Sequence, residues 1–346
     1  MILSNGIKIM NLIEIFFIFF LQIIFFLLFK KKIFSSVLFK KLLDKPGKDK
    51  LHSTPIPLVG GILILFSISA YLFLSLIVNN LANEKIIIFL IGTVFAFLVG
   101  FIDDLLHIKA EKKIIAITLF NIIFFQKLEF FQTKTLLFYS NFFSIEFSVI
   151  SLSLIISILT FLVCHYALVV IDGINGIFGS YTIGFFLVLL FYFEISIPLK
   201  NFIIYFLIVL IFITFLNFRN ILFFGNSGSL MISAMIPYIL LGIYNERSNQ
   251  IFIFSFLSLV IIPILDMVRL FFLRVLDKKS PFEKDLNHFH HKLLKKYNLQ
   301  WTLFIYLGLC FLPFILVHTF KLDPFITLVF QVILFFTLNY KLKLSN

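Results

Sequence analysis

Residues 85–104 read KIIIFLIGTVFAFLVGFIDD. Between Lys85 and Asp103 no side chain carries a charge, and the run closes on two adjacent carboxylates. A helix that crosses a bilayer needs about 20 mostly apolar residues. The pattern recurs along the chain, near 11–29, 57–78, 114–131, 149–170, 177–193, 201–218, 229–244, 251–275, 302–320 and 324–340. The sequence therefore predicts an all-α fold, a polytopic membrane helical bundle of about 10–11 transmembrane helices. It forms one domain over 1–346, with its motifs between 44 and 291. Residues 135–147 lie between two spans and are expected to form a small hairpin outside the membrane.

Composition supports this reading. The chain is 61% hydrophobic and 13% charged, with a mean hydropathy of +1.10. Soluble domains are typically about 45–50% apolar and about 25% charged, so the solvent for this surface is lipid. The formal charge of +12 points to membrane topology rather than to nucleic acid. With the N-terminus outside, 21 of the 29 Lys and Arg fall in the loops assigned to the cytoplasm. Basic residues accumulate there in inner-membrane proteins, which also places the C-terminus in the cytoplasm. The run before Lys30-Lys31-Lys32 lacks a small-residue cleavage site and reads as an anchor helix. Cys164 and Cys310 lie in apolar runs and suggest no disulfide framework.

Five polar clusters stand out, and all fall on the cytoplasmic side of that topology. The first runs from Asp44 through Pro46, Lys48, Lys50 and His52 to Pro57, Gly60 and Gly61. Its cations can meet phosphate oxygens, and its paired glycines allow close approach of a helix or a ligand. It also reads as an ordinary basic loop at a membrane surface. The second is Asp103-Asp104. Adjacent carboxylates repel, so an ionised pair calls for a cation. One can bind a divalent metal while the other accepts a proton; a solvated helix end is the plainer reading.

The third cluster, Asp172-Gly173-Ile174-Asn175-Gly176, suits a ligand rich in oxygen, or a simple turn. The fourth, Phe223 to Ser229, opens a span with N–H groups that favour phosphate, or with Asn226 or Ser227 as a plain N-cap. The fifth runs from Ser280 to His291 and holds Asp285, His288, His290 and His291. Its spacing is not that of a zinc site. The remaining roles are proton transfer and neutralising a developing charge. One further polar pair, Asp266 and Arg269, sits three residues apart beyond Pro263, which is expected to kink its span. These two are expected to pair structurally or to face a wet cavity.

Metal-holding carboxylates, phosphate-binding cations and glycine turns at one membrane boundary suit phosphoryl transfer, which depends on positioning and charge stabilisation. There is no G-x-x-x-x-G-K-[ST] motif for nucleotide-driven transport. A transporter's polar residues should sit near mid-bilayer instead.

In these motifs the chain resembles the polyprenyl-phosphate N-acetylhexosamine-1-phosphate transferases of glycosyltransferase family 4. A more distant likeness is to the phospho-MurNAc-pentapeptide translocases. The family's D-x-P-x-x-R-K-x-H-x-x-x-x-P-x-x-G-G is matched by Asp44, Pro46, Lys50, His52, Pro57, Gly60 and Gly61, and its aspartate pair by Asp103 and Asp104. Its D-G-x-D-G is similar to 172–176, its F-x-G-D-x-G-S to 223–229, and its P-F-x-x-D-R-x-H-x-H-H to 281–291.

The resemblance implies transfer of a sugar 1-phosphate from a UDP-sugar to undecaprenyl or another polyprenyl phosphate, releasing UMP at the cytoplasmic face. That would be the first membrane step of a cell-envelope glycan. Asp103, Asp104, His290 and His291 would be catalytic. Lys48, Lys50, His52, Asp172, Asn175, Asp285 and His288 would bind substrate. Asp104, Asp172 and Asn226 would hold Mg²⁺ (or Mn²⁺). A homodimer is compatible with this reading; a nucleic-acid partner is not expected.

The departures fall at the same places. Asn226 and Asn175 stand where the family has aspartates, Tyr166 and Val169 where it has asparagines, and Asp49 and Leu286 where it has arginines. They make a catalytically impaired homologue with a binding or scaffold role the alternative.

Overall fold

The computed structural model describes residues 19–28, 39–47, 53–79, 84–246, 253–282 and 285–344. Among them it is a bundle of helices with two small antiparallel ladders. Among the described residues seven helical stretches are long and apolar enough to cross a membrane: those of α3 (Glu84–Leu106), α5 (Ser153–Val169, with the turn before it from Ile150), α7 (Ile197–Phe218), α8 (Gly225–Glu246), α9 (Ile253–Leu276), α11 (Leu299–Phe320) and α12 (Pro324–Leu344). Three shorter apolar helices join them: α1 (Phe19–Leu28), α2 (Gly60–Asn79) and α6 (Ile177–Tyr192). The span expected near 114–131 is the helix α4 (Ala110–Lys127). Glu111, Lys112, Lys113 and Lys127 sit at its two ends, so it is not among the helices apolar enough to cross. The first 18 residues, with most of the expected first span, lie outside the described residues.

The chain divides into two compact units, 1–109 with 186–235 and 110–185 with 236–346. In the first, α1, α2 and α7 pack through aromatic side chains. Phe25 stacks on Phe66 with ring centroids 4.1 Å apart, and Phe26 meets Phe212 edge-on. Tyr71 stacks on Tyr205 at 5.3 Å, and the Tyr205 hydroxyl donates to the Ser67 carbonyl at 3.0 Å. A buried Tyr needs such a partner for its hydroxyl. The strands β1 (Leu43–Asp44) and β2 (Ile56–Pro57) pair antiparallel, so the loop that leaves at Asp44 returns at Ile56.

In the second unit Tyr238 of α8 is the hub. Its ring lies 4.5 Å from that of Phe161 and also meets Phe124, Phe125 and Phe131. Its hydroxyl donates to Asn121 Oδ1 at 2.6 Å. Gln331 of α12 donates to the carbonyls of Ser258 (2.9 Å) and Leu309 (2.7 Å), tying α12 to α9 and α11. Such inter-helix hydrogen bonds contribute roughly 0.6–2 kcal/mol each in lipid. The expected hairpin is present as β3 (Thr135–Ser140) and β4 (Phe143–Ser148), paired in register from Thr135–Ser148 to Ser140–Phe143. Pro263 lies inside α9, which is helical throughout its 24 residues.

Candidate active site

In the first unit three of the five clusters meet at one end of the helices. The start of α2 is knitted to the start of α8: Gly60 and Gly61 donate to the carbonyls of Phe223 and Phe224, both at 2.9 Å. Phe223 in turn donates to the Pro57 carbonyl at 2.9 Å. The paired glycines exist for this approach. A Cβ at Gly61 would meet the Gly228 nitrogen and lie 2.5 Å from Ser227 Oγ. One at Gly100 would run into the Asn226 carbonyl.

The end of α3 meets the same helix start. Asp104 is fully buried and accepts three hydrogen bonds, from Asn226 N (2.8 Å), Asn226 Nδ2 (3.1 Å) and Ser227 N (2.9 Å). The first N–H groups of a helix have no partner inside it and carry partial positive charge. Asp104 therefore caps α8 from 122 residues away. Gly225 makes room for this: its φ is +71°, and a Cβ there would lie 2.8 Å from Asp104 Oδ2. Asp103 is buried beside it. Ser227 Oγ has no hydrogen-bond partner among the described residues. Lys48, Lys50 and His52 lie outside the described residues; the β1–β2 ladder holds the two ends of their loop.

In the second unit the remaining two clusters meet. The chain turns after α5 through a Gly173 N–H to Ile171 carbonyl bond of 2.8 Å. A Cβ on Gly173 would lie 2.7 Å from His291 Nε2 and 2.9 Å from His290 Nε2. The Asp172–Gly173 turn thus lies directly against the histidines. Asp172 and Asn175 are half-buried on either side of it.

The histidines sit at the start of α10 (Phe289–Lys296), and Asp266 of α9 organises them. Its carboxylate, 3% exposed, accepts from the Phe289 N–H at 3.0 and 3.1 Å and lies 3.0 Å from His288 Nδ1. Arg269 Nη2 donates to Asp266 at 2.7 Å and to the Asn287 carbonyl at 2.8 Å. One turn on, Arg274 donates to Asp285 at 2.9 Å and to the Pro281 carbonyl at 2.7 Å. Asp266 and Arg269 do pair, as expected, and with Arg274 they also hold the histidine loop. Asp285, expected to bind substrate, is placed in this framework by Arg274 and the Asn287 N–H. Arg274 was not singled out from the sequence; its only signal is a basic residue at a helix end next to an acidic loop.

His290 is 1% exposed, its ring stacks on His288 at 5.6 Å, and neither of its nitrogens has a hydrogen-bond partner among the described residues. Burial, and then the charge of His291, pushes its pKa well below the ordinary histidine value. Burial, followed by the charge of His288, lowers that of His291 to about 4. Both rings are therefore neutral at pH 7. For Asp285 burial opposes ionisation, but the Arg274 and Asn287 hydrogen bonds and the Arg274 charge hold it below the usual carboxylate range.

Among the described residues no three His, Cys, Asp or Glu side chains come together as metal ligands. Mg²⁺ does not require them, since it binds one or two carboxylates together with substrate phosphates. In the first unit Asp104 is hydrogen-bonded to Asn226 and Asp103 is buried next to it in the chain, so oxygen donors are present there, although three N–H donors already engage Asp104. These residues fit a metal carried in with a phosphate and do not build a protein-only cage.

Residues 86–244 match the model of glycosyl transferase family 4. The chain resembles that family, as its motifs imply. Asp103, Asp104, Asp172 and Asn226 lie inside the matched stretch, and the histidine loop lies beyond it. Similar relatives carry one name, undecaprenyl-phosphate alpha-N-acetylglucosaminyl 1-phosphate transferase. That of Escherichia coli K12 is 26% identical over 294 residues, covering 82% of this chain and 76% of its own. That of Yersinia pestis is 24% identical over 261 residues, 73% and 70% of the two chains. That of Haemophilus influenzae is 34% identical over 73 residues, 21% of each. Relatives of the family with this name point to sugar-phosphate transfer onto a polyprenyl phosphate.

Proposed function

We propose that this chain transfers a sugar 1-phosphate, of the N-acetylhexosamine type, from a UDP-sugar to undecaprenyl or another polyprenyl phosphate. The observation that carries this reading is the histidine loop lying against the Asp172–Gly173 turn and fixed there by Asp266. A lone basic loop has no need of so much framework. The relatives' shared name supplies the reaction class.

An oxygen of the lipid phosphate forms the new bond to the β-phosphorus, the bond to the α-phosphate oxygen breaks, and UMP leaves. In this reading Asp103 orients or deprotonates the lipid phosphate. Asp172 and Asn175 contact the nucleotide, and His288, His290 and His291 the diphosphate. Neutral imidazoles can donate N–H bonds to its oxygens, and an arriving anion favours their protonation. Lys48, Lys50 and His52 would neutralise phosphate charge. Mg²⁺ or Mn²⁺, when bound, would offset charge on the diphosphate, and the residues that the family resemblance offers as its ligands are Asp104, Asp172 and Asn226. The site would face the cytoplasm from the inner membrane, with the N-terminus outside, as the distribution of basic residues implies.

The test uses purified protein, undecaprenyl phosphate, Mg²⁺ or Mn²⁺ and a panel of UDP-sugars, with UMP release as readout. Release with a UDP-N-acetylhexosamine is expected. No UMP from any sugar would overturn the proposal in favour of a non-catalytic role.

A further inference from the structure

At the other end of α5 and α9 from the histidines, the β3–β4 hairpin presents an unusual surface. Strand β4 reads Phe143-Ser-Ile145-Glu-Phe147-Ser, so alternate residues share a face. One face is apolar; the other, Ser144, Glu146 and Ser148, is polar and exposed. The apolar face packs only in part on the protein. Phe138 meets Phe254 at the start of α9, and Phe143 meets Phe325 at the start of α12. Past that contact Ile145 is 43% exposed and Phe147 53%, and Phe142 at the tip is 75% exposed.

The uncovered part continues into the exposed apolar faces of helices long and apolar enough to cross a membrane. The span that follows begins at Ile150. Its exposed residues Ile155, Leu159 and Val163 recur every four positions, an apolar stripe down α5. Beside the hairpin, α12 exposes Ile326, Phe330 and Ile333. The hairpin is also clamped. Asp323 accepts from Ser140 Oγ at 2.7 Å and from the Asn141 N–H, while its other oxygen caps α12 through the Ile326 N–H at 2.8 Å. Amphipathic segments with aromatic side chains settle at the boundary of headgroups and acyl chains.

We propose that the hairpin is a membrane-interface anchor: Phe142, Ile145 and Phe147 rest in the headgroup–acyl boundary of the bilayer, and Asp323 fixes the hairpin at that depth. The partner is phospholipid, on the membrane face remote from the histidine loop. Helix α5 separates the two by about 25 Å at 1.5 Å per residue. The anchor is independent of the proposed reaction.

The chain has one Trp, Trp301. In a Trp301→Phe background, Phe147→Trp and Ser144→Trp place a fluorophore on either face of β4, in phosphatidylcholine–phosphatidylglycerol vesicles. Phe147→Trp should emit blue-shifted light, be quenched by phospholipid brominated near the headgroup, and resist aqueous iodide. Ser144→Trp should show the reverse. Adding Asp323→Ala should lose the lipid quenching of Phe147→Trp. Iodide quenching of both reporters would overturn the proposal. So would protection of Phe147→Trp without lipid quenching, because a protein surface would then cover it. Lipid quenching that survives Asp323→Ala would remove Asp323 from it. Hydroxyl-radical footprinting of the unsubstituted chain in the same vesicles gives a second reading. Phe147 should be oxidised as slowly as the buried Phe254, and oxidation at the rate of a water-exposed Phe would overturn the anchor.

Discussion

Asp104 and Asp266 do similar work at the residue scale. Each is a carboxylate of an apolar helix that accepts the first N–H groups of another helix, α8 for Asp104 and α10 for Asp266. The sequence marks both as unusual, because a charge in such a run is costly. It cannot name their partners, since backbone N–H donors leave no trace in residue identity. Asp104 therefore reads as a metal ligand, while the cap it forms is invisible. Asp104→Ala should lower stability by about 1–3 kcal/mol for each donor left bare and buried, read as thermal unfolding in detergent. Asn226 donates its amide to Asp104, so Asn226→Asp brings two carboxylates together. That variant should be less stable than wild type without divalent cation and regain stability with Mg²⁺; equal stability in both conditions would contradict the geometry. Asp266→Asn should lower turnover by loosening the histidine loop, in part through His288. In a His288→Ala background its effect should be smaller than in the wild type, with a coupling of about 1.5–3 kcal/mol in a double-mutant cycle on kcat/KM.

The histidines add a pH dependence at the same scale. The folded His291 binds its proton only near pH 4, against 6.5 for the ordinary group. Between those values the unfolded chain holds more protons, so stability is full above about pH 6.5 and falls on acidification toward 4. The thermal midpoint should drop across that window, and His291→Asn should flatten the drop. A midpoint independent of pH between those values would contradict the buried neutral ring.

At the scale of elements the glycines are the legible feature. Gly60 and Gly61 read as places of close approach, and the structure supplies the partner, the chain leading into the first turn of α8; Gly100, which carries no such signal in the sequence, meets that same turn. Gly61→Ala should cost about 1–3 kcal/mol, because the Gly228 backbone cannot yield as a side chain can. Gly308 inside α11 has nothing within 4 Å of an added Cβ. Gly308→Ala should instead stabilise by roughly 0.5–1 kcal/mol. Melting curves of the two variants check this contrast. The helices were legible because lipid demands long apolar runs. α4 was the exception in kind, since its charges gather at its ends and outside a simple hydropathy reading. The hairpin was visible as a gap between spans; its Asp323 clamp depends on a single carboxylate 182 residues from Asn141 and was not.

At the scale of the whole molecule, the polytopic fold followed from composition, and the resemblance to glycosyl transferase family 4 followed from the order of five motifs. Two of those motifs meet in one compact unit and three in the other. The departures at Asn226, Asn175, Val169 and Leu286 bear on whether the site turns over. Release of UMP decides it most directly. With undecaprenyl phosphate, Mg²⁺ and a UDP-N-acetylhexosamine, the wild-type chain should release UMP, and Asp103→Asn should stop release while retaining the wild-type melting curve. No UMP from the wild type with any UDP-sugar, or wild-type rates from Asp103→Asn, would contradict the account.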